Sequence, residues 1–338
     1  MARLPTHPFA SGDSSSNVAT NIHRVEHDIF MEIQLCRQGT IFYPHFSQSL
    51  AQWASTTPRT FSQGHSTKIE FLRCSTLRAA QHYSLPQPSS FPPTPSARVG
   101  VLSSASPKRP GGGFLHGGDE QEERIVRLST LLSSLTSPLA KSFYDEHRTS
   151  NSEDGGSGLH DHAILFSPGV VVFRSEPEEE ARSQDQIGGR FFGTEERYSV
   201  DIVSVSPVNA AAVRQKFTIL PEEKDIFEEG MKGAMKERMA RALRVFEDQG
   251  NKTLILGAFG SGSCENRVED VAEIWAELLV CGDRGSEEVS GKGRFKDVFD
   301  RIVFAVPGKH FEKFKKAFEM RVFEAEVEEA ASSESDDE

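Results

Sequence analysis

The order of apolar and glycine-rich stretches predicts an α/β fold: a mixed sheet with helices on both faces, preceded by an N-terminal helical extension. Three observations lead to this. Strand-like and helix-like stretches alternate along the chain. Some strands are unbroken apolar runs, such as Val170–Phe173, which suit a sheet covered on both sides. Twice a strand passes through a glycine-rich turn straight into a helix, the arrangement by which α/β folds hold ligands at strand C-termini.

The elements follow in order. Residues 1–20, rich in Ser, Pro, Thr and Asn, are expected to be disordered. A helix over 21–37 is read from Ile22, Val25, Ile29, Phe30, Ile33 and Leu35, with Gly39 as the glycine that ends it. Residues 40–67 show no clear period. Ile69–Leu72 reads as a strand, Ser75 as the cap of a helix over Thr76–Tyr83, and 84–95 as a proline-rich connection. A strand over Arg98–Ser103 feeds a glycine loop and a helix around Gln121–Leu135, followed by a helix near Leu139–Tyr144. Ala163–Phe173 is a strand interrupted at Ser167-Pro168-Gly169, and 175–198 reads as a surface insertion. Asp201–Val205 is a strand that ends in Ser206-Pro207-Val208-Asn209. Over Glu222–Asp248 the four-residue spacing of Phe227, Met231, Met235, Met239, Leu243 and Phe246 predicts a helix whose stripe packs into the core. Strands over Thr253–Leu256 and Arg301–Val306, with helices over Val268–Val280 and Lys309–Phe323, complete one domain over 21–323. The acidic tail, 324–338, is expected to be solvated and disordered.

Composition narrows the function. A net charge of −12 argues against a broad basic surface that grips nucleic acid, so no direct DNA binding is expected. The four cysteines, Cys36, Cys74, Cys264 and Cys281, are scattered without metal-ligand spacing, which predicts no metal site and fits a reducing compartment. There is no run of 18 apolar residues, so no membrane span is expected, and the cytoplasm or nucleus is the expected location. No cofactor is implied, and a monomer is expected.

The most informative stretch is Pro110–Arg124. Gly111, Gly112 and Gly113, then Gly117 and Gly118, allow backbone to take unusual conformations and approach a ligand closely. The stretch ends in Gln121, Glu122 and Glu123 at a helix start. Asp119 as N-cap and Glu122 at N3 can form a capping box, which alone would account for Glu122. Glu123, about 100° further round the helix, then faces the loop and is the better catalytic candidate.

Gly-Gly-Gly, seven residues, then Gln-Glu-Glu resembles the catalytic loop of poly(ADP-ribose) glycohydrolases, and the surrounding Pro-Gly-Gly-Gly-Phe-Leu…Gln-Glu-Glu resembles the microbial-type branch, which is built on a macrodomain. A second loop, Gly257-Ala258-Phe259-Gly260-Ser261-Gly262-Ser263-Cys264-Glu265-Asn266, is similar to the family's Gly-Ala-Phe/Trp-Gly-Cys-Gly-Val-Phe-Gly-Asn. Ser134-Leu135…Phe143-Tyr144, Phe166-Ser-Pro-Gly-Val-Val-Val-Phe-Arg174 and Ser206-Pro-Val-Asn-Ala210 also resemble family segments. There are departures. Cys264 stands for a second aromatic, Glu265 for a glycine, and Ser103-Ser104 for Asn-Phe. A carboxylate at position 265 facing a diphosphate would cost on the order of 3 kcal/mol at ~5 Å, a cost that largely vanishes if it turns to solvent.

The resemblance implies hydrolysis of ribose–ribose O-glycosidic bonds in poly(ADP-ribose), with poly(ADP-ribose) or ADP-ribosylated proteins as partners. Glu123 would be the general acid/base, with Glu122 and Gln121 positioning ribose hydroxyls. Gly111, Gly112, Gly113, Asn209, Gly257, Phe259, Gly260, Ser261, Gly262 and Asn266 would line the ligand. The alternatives are an ADP-ribose-binding macrodomain with little turnover, or a hydrolase of single protein-linked ADP-ribose.

Overall fold

The computed structural model of the chain describes residues 29–58, 66–85, 98–177, 189–284 and 292–335. Among the described residues, seven strands form one sheet: β1 (Ile41–Tyr43), β2 (Lys68–Leu72), β3 (Val99–Ser104), β4 (Ile164–Val172), β5 (Tyr198–Val205), β6 (Thr253–Leu256) and β7 (Arg301–Ala305). Their order is β1-β4-β5-β3-β6-β7-β2. From β5 to β2 every pairing is parallel, whereas β4 runs antiparallel to both β1 and β5.

The pleat divides the strands' side chains between two cores. Leu102, Ile164, Phe166, Val203, Val205, Leu254, Leu256, Ile302 and Phe304 point to one side. Val99, Val101, Leu165, Val200, Ile202, Ile255 and Val303 point to the other. The second core is closed by α1 (Phe30–Gln38), α3 (Thr76–Ser84), α4 (Gln121–Leu128), α5 (Leu131–Leu135) and α6 (Pro138–Glu153). The first is closed by α7 (Ala210–Lys216), α8 (Lys224–Gln249), α9 (Val268–Ala276) and α10 (His310–Ser335), with the single turn α2 (Gln48–Ala51) adding Leu50. The predicted stripe of α8 is core: Met231, Met235, Met239, Leu243 and Phe246 are buried, each contributing about 1.5–3 kcal/mol. Gly100 in the central strand β3 lets α8 approach closely, since a Cβ there would fall 2.6 Å from Phe246.

Several expectations need correction. Gly39 ends α1 with φ −80°, so it is not a left-handed cap. Its missing side chain instead admits Pro168, 2.7 Å from where a Cβ would stand. The aperiodic stretch 40–67 contains β1, an edge strand too short to show a period. The helix expected over Gln121–Leu135 is two helices. Ser129 between them is extended and bridges to Val172, while Leu128 O accepts the Phe173 N–H, so the end of β4 takes over the backbone bonds a continuous helix would have used. The acidic segment read as a disordered tail continues α10 as far as Ser335. Glu and Ala are strong helix formers, and the segment's charges lie on solvated faces. The expectations for 1–20, the start of the first helix, most of the proline-rich connection and 178–188 fall outside the described residues.

Candidate active site

The parallel strands β3, β6 and β7 deliver their C-terminal ends to one cavity of about 800 Å³. Its wall includes Ser104–Arg109, Gly112, Gly113 and Glu120–Glu123 from one side, and Gly257–Cys264 from the other. Pro207 and Asn209 after β5, and His160 before β4, contribute further wall. The volume suits a ligand of nucleotide size. A second cavity of about 420 Å³ lies between α3 and the segments around Arg174 and Arg190, and none of the predicted site residues reaches it.

The glycine loop is built around one carboxylate. Glu123 Oε1 accepts the Gly113 N–H at 2.5 Å and Oε2 accepts the Glu120 N–H at 2.8 Å. A Cβ on Gly112 would fall 2.8 Å from Glu123 Oε1, and one on Gly118 only 2.5 Å from Glu123 Cδ. Glycines are therefore present because side chains would occupy the space of the Glu123 carboxylate. Gly111 and Gly112 add left-handed turns, with φ +69° and +55°. The capping arrangement differs by one residue from expectation. Glu120 is the N-cap and Glu123 the N3 residue of the capping box. Asp119 instead binds Arg124 and Arg127. So Glu123 both reaches the loop and closes the cap, while Glu122 turns inward.

Glu122 is 2 % exposed. Its Oε2 accepts the Ser106 N–H at 2.8 Å, and Oε1 is buried without a partner. Burial, reinforced by the neighbouring Glu123 charge, pushes its pKa up to about 8. Gln121 is committed to the scaffold: its oxygen accepts the Ser104 N–H at 2.8 Å, and its amide donates to Thr76 Oγ1 and Leu102 O. It ties the ends of β3, α3 and α4 together and has no amide hydrogen left for a ribose hydroxyl.

Across the cavity, the 257–266 loop leaves amides unused. Among the described residues, the N–H groups of Ala258, Gly260, Gly262 and Ser263 donate to no protein acceptor. Such converging free amides favour an anion. Gly260, at φ +70°, fits between Pro207 and Asn266. Gly257 lies against Ala305 O, and Ser261 Oγ is buried without a partner at the wall. Asn266 does not line the cavity. Its amide donates to Val208 O (2.7 Å) and Gly260 O (3.0 Å), so it pins the loop from behind. Phe259 touches the cavity but is 4 % exposed and packs in the core. Asn209 caps α7 through Oδ1, which accepts the Ala212 N–H at 3.0 Å.

Two of the four departures, Ser103 and Glu265, stay away from the ligand space. Glu265 is exposed, outside the cavity wall, and takes φ +53°, which explains a glycine preference there. Ser103 is fully buried in β3 beside Ser204. Cys264 lines the cavity, and Ser104 leaves open the volume a ring would fill. Sequence reading missed His160, Lys108 and Arg109 on the wall, because none carries a motif.

Residues 15–175 match the family model described as microbial-type PARG, catalytic domain. Among solved structures, the chain is similar to poly(ADP-ribose) glycohydrolase from Thermomonospora curvata, with 27 % identity and a TM-score of 0.64 over 86 % of this chain and 88 % of that one. The enzyme from Deinococcus radiodurans in complex with ADP-ribose gives 27 % identity and a TM-score of 0.63, over 86 % of this chain and 96 % of that one. No curated protein matches the chain significantly.

Proposed function

We propose that the chain is a microbial-type poly(ADP-ribose) glycohydrolase that hydrolyses ribose–ribose O-glycosidic bonds in poly(ADP-ribose) with Glu123 as general acid/base. The observation that carries this assignment is the enclosure of one carboxylate by the glycine loop on the wall of a cavity whose opposite wall is a set of free amides.

In this reading the diphosphate of the terminal unit rests on the amides of the 257–263 loop, and the terminal ribose faces Glu123. Glu123 gives a proton to the departing 2′-oxygen and then takes one from the attacking water. The anomeric carbon passes through an oxocarbenium-like state, which the adjacent diphosphate helps to stabilise. Glu122, held protonated at neutral pH by burial, keeps the pair from presenting two negative charges to an anionic ligand. The roles of Gln121 and Asn266 become scaffolding, and Asn209 contributes wall and cap together.

We also infer that residues 21–323 act as one catalytic domain, as a monomer, on ADP-ribosylated proteins and without direct DNA binding. The retained geometry of Glu123 favours turnover over a reader function, since Ser103 and Glu265 lie outside the cavity wall. Incubation with automodified poly(ADP-ribose) tests the proposal. Release of free ADP-ribose is expected. Release only from singly modified protein would move the substrate to mono-ADP-ribose, and binding without release would make the chain a reader.

A further inference from the structure

His160 enters the cavity wall from a segment that no motif marked. It adopts φ +59°, a left-handed conformation that strains a non-glycine residue and is retained mostly where the surroundings impose it. Here they do: the segment is held by Arg238, which is 1 % exposed and donates to Leu159 O, to Ser206 O (3.1 Å) and to His162 Nδ1 (3.3 Å). Behind His160 stands His147 on α6, buried, with the two rings nearly perpendicular at 83° and centroids 6.2 Å apart.

The protons of these rings can be traced. His147 Nδ1 accepts the Asp161 N–H at 3.3 Å. A neutral imidazole that accepts at one nitrogen carries its hydrogen on the other, so His147 bears it on Nε2. That Nε2 and His160 Nδ1 are both buried with no partner in the protein, and they belong to adjacent rings. One is then a donor and the other an acceptor, joined through one water. His160 consequently carries its own hydrogen on Nε2, which has no protein acceptor among the described residues, on a ring that lines the cavity. Burial, with Arg238 nearby, keeps both rings neutral near pH 7 by lowering their pKa values to about 3 and about 4.

We propose that His160 is a ligand-binding residue whose Nε2–H, oriented by His147, donates to a phosphate oxygen of the bound ADP-ribose unit. A phosphate oxygen fits better than a hydroxyl because the position offers a donor only and because two cations, Arg238 and Lys108, act at His160 against the single carboxylate of Asp154. The inference rests on the glycohydrolase reading of the cavity.

Calorimetric titration with ADP-ribose and ¹⁵N spectra of the histidine rings test it. Wild-type binding checks the underlying reading; the variants and the spectra judge His160. His160→Phe keeps a ring and removes the donor, and is expected to weaken ADP-ribose binding about tenfold. His160→Gln returns an amide N–H near the Nε2 position and should stay within about threefold of wild type by the same reckoning. Both histidines should appear as Nε2–H tautomers at neutral pH. Equal affinity of His160→Phe and wild type, equal losses in the Phe and Gln variants, or a hydrogen on His160 Nδ1 would each overturn the proposal. If wild type itself binds no ADP-ribose while the tautomers are as derived, the ligand assignment fails rather than the hydrogen-bond chain.

Discussion

Glu122 and Glu123 are consecutive residues with opposite surroundings. Glu123 sits under glycines and accepts two backbone N–H groups, whereas Glu122 is sealed inward with one oxygen unpartnered. The effect of Glu122 on stability has a definite sign. Its pKa is raised from 4.5 to about 8 in the folded chain, so between those values the native state keeps a proton that the unfolded state releases. Stability then falls as pH rises through that window. Glu122→Gln removes the effect, and is expected to be more stable than wild type by on the order of 3 kcal/mol at pH 7 and about equal at pH 4. Urea unfolding at the two pH values checks this, and a difference that does not grow with pH would contradict it. The sequence made this pair legible as chemistry and placed Glu123 at the loop, but gave the capping role to Glu122 instead of Glu123. Asp119 and Glu120 are both plausible caps in sequence, and the choice was made by Arg124 and Arg127, which claim Asp119.

The glycine loop is the element in which backbone freedom and active-site space coincide, and two of its glycines separate the two contributions. Gly118 has no positive φ, yet a Cβ there would displace the Glu123 carboxylate. Gly117 has φ +79° and open space around it. Gly118→Ala should lose at least ~100-fold in kcat, the scale of a displaced catalytic group, with little change in melting temperature. Gly117→Ala should cost about 1 kcal/mol of stability and leave far more activity. Equal activity in the two variants would contradict the idea that the loop is shaped around Glu123. The opposing loop depends on Gly260, where φ +70° and the approach of Pro207 to 2.6 Å both exclude a side chain. This second loop was readable from its strand–glycine–helix order. The roles of Asn266 and Gln121 were not, because an amide that binds a ligand and one that pins a loop look alike in sequence. The same limit applied to α10: a run of acids reads as solvated, and the helical conformation of that solvated segment rests on Glu and Ala propensity, which charge patterning overlooks.

For the whole molecule, strand alternation carried most of the fold, since each strand had to supply two cores. The edge strand β1 escaped because three residues hold no period. The buried His147 and the partly exposed His160 and His162 escaped because they come together from α6 and the 159–162 segment, a proximity only the tertiary structure creates. They set the response to acid. Burial lowers the pKa values of His147 and His162 to about 3 and of His160 to about 4, all from 6.5. Between those values the unfolded chain binds up to three protons that the native chain does not, so stability falls as pH drops below about 6.5. Glu122 acts in the opposite sense with a single proton. The predicted optimum of stability is therefore near pH 6.5, with a steeper loss on the acid side, and a plot of urea midpoint against pH measures it. The most direct test of the central claim compares wild type with Glu123→Gln on automodified poly(ADP-ribose), with ADP-ribose titrated into both. Release of ADP-ribose by wild type, none by the variant, and binding by both are expected. Release by the variant at the wild-type rate would remove Glu123 from the chemistry.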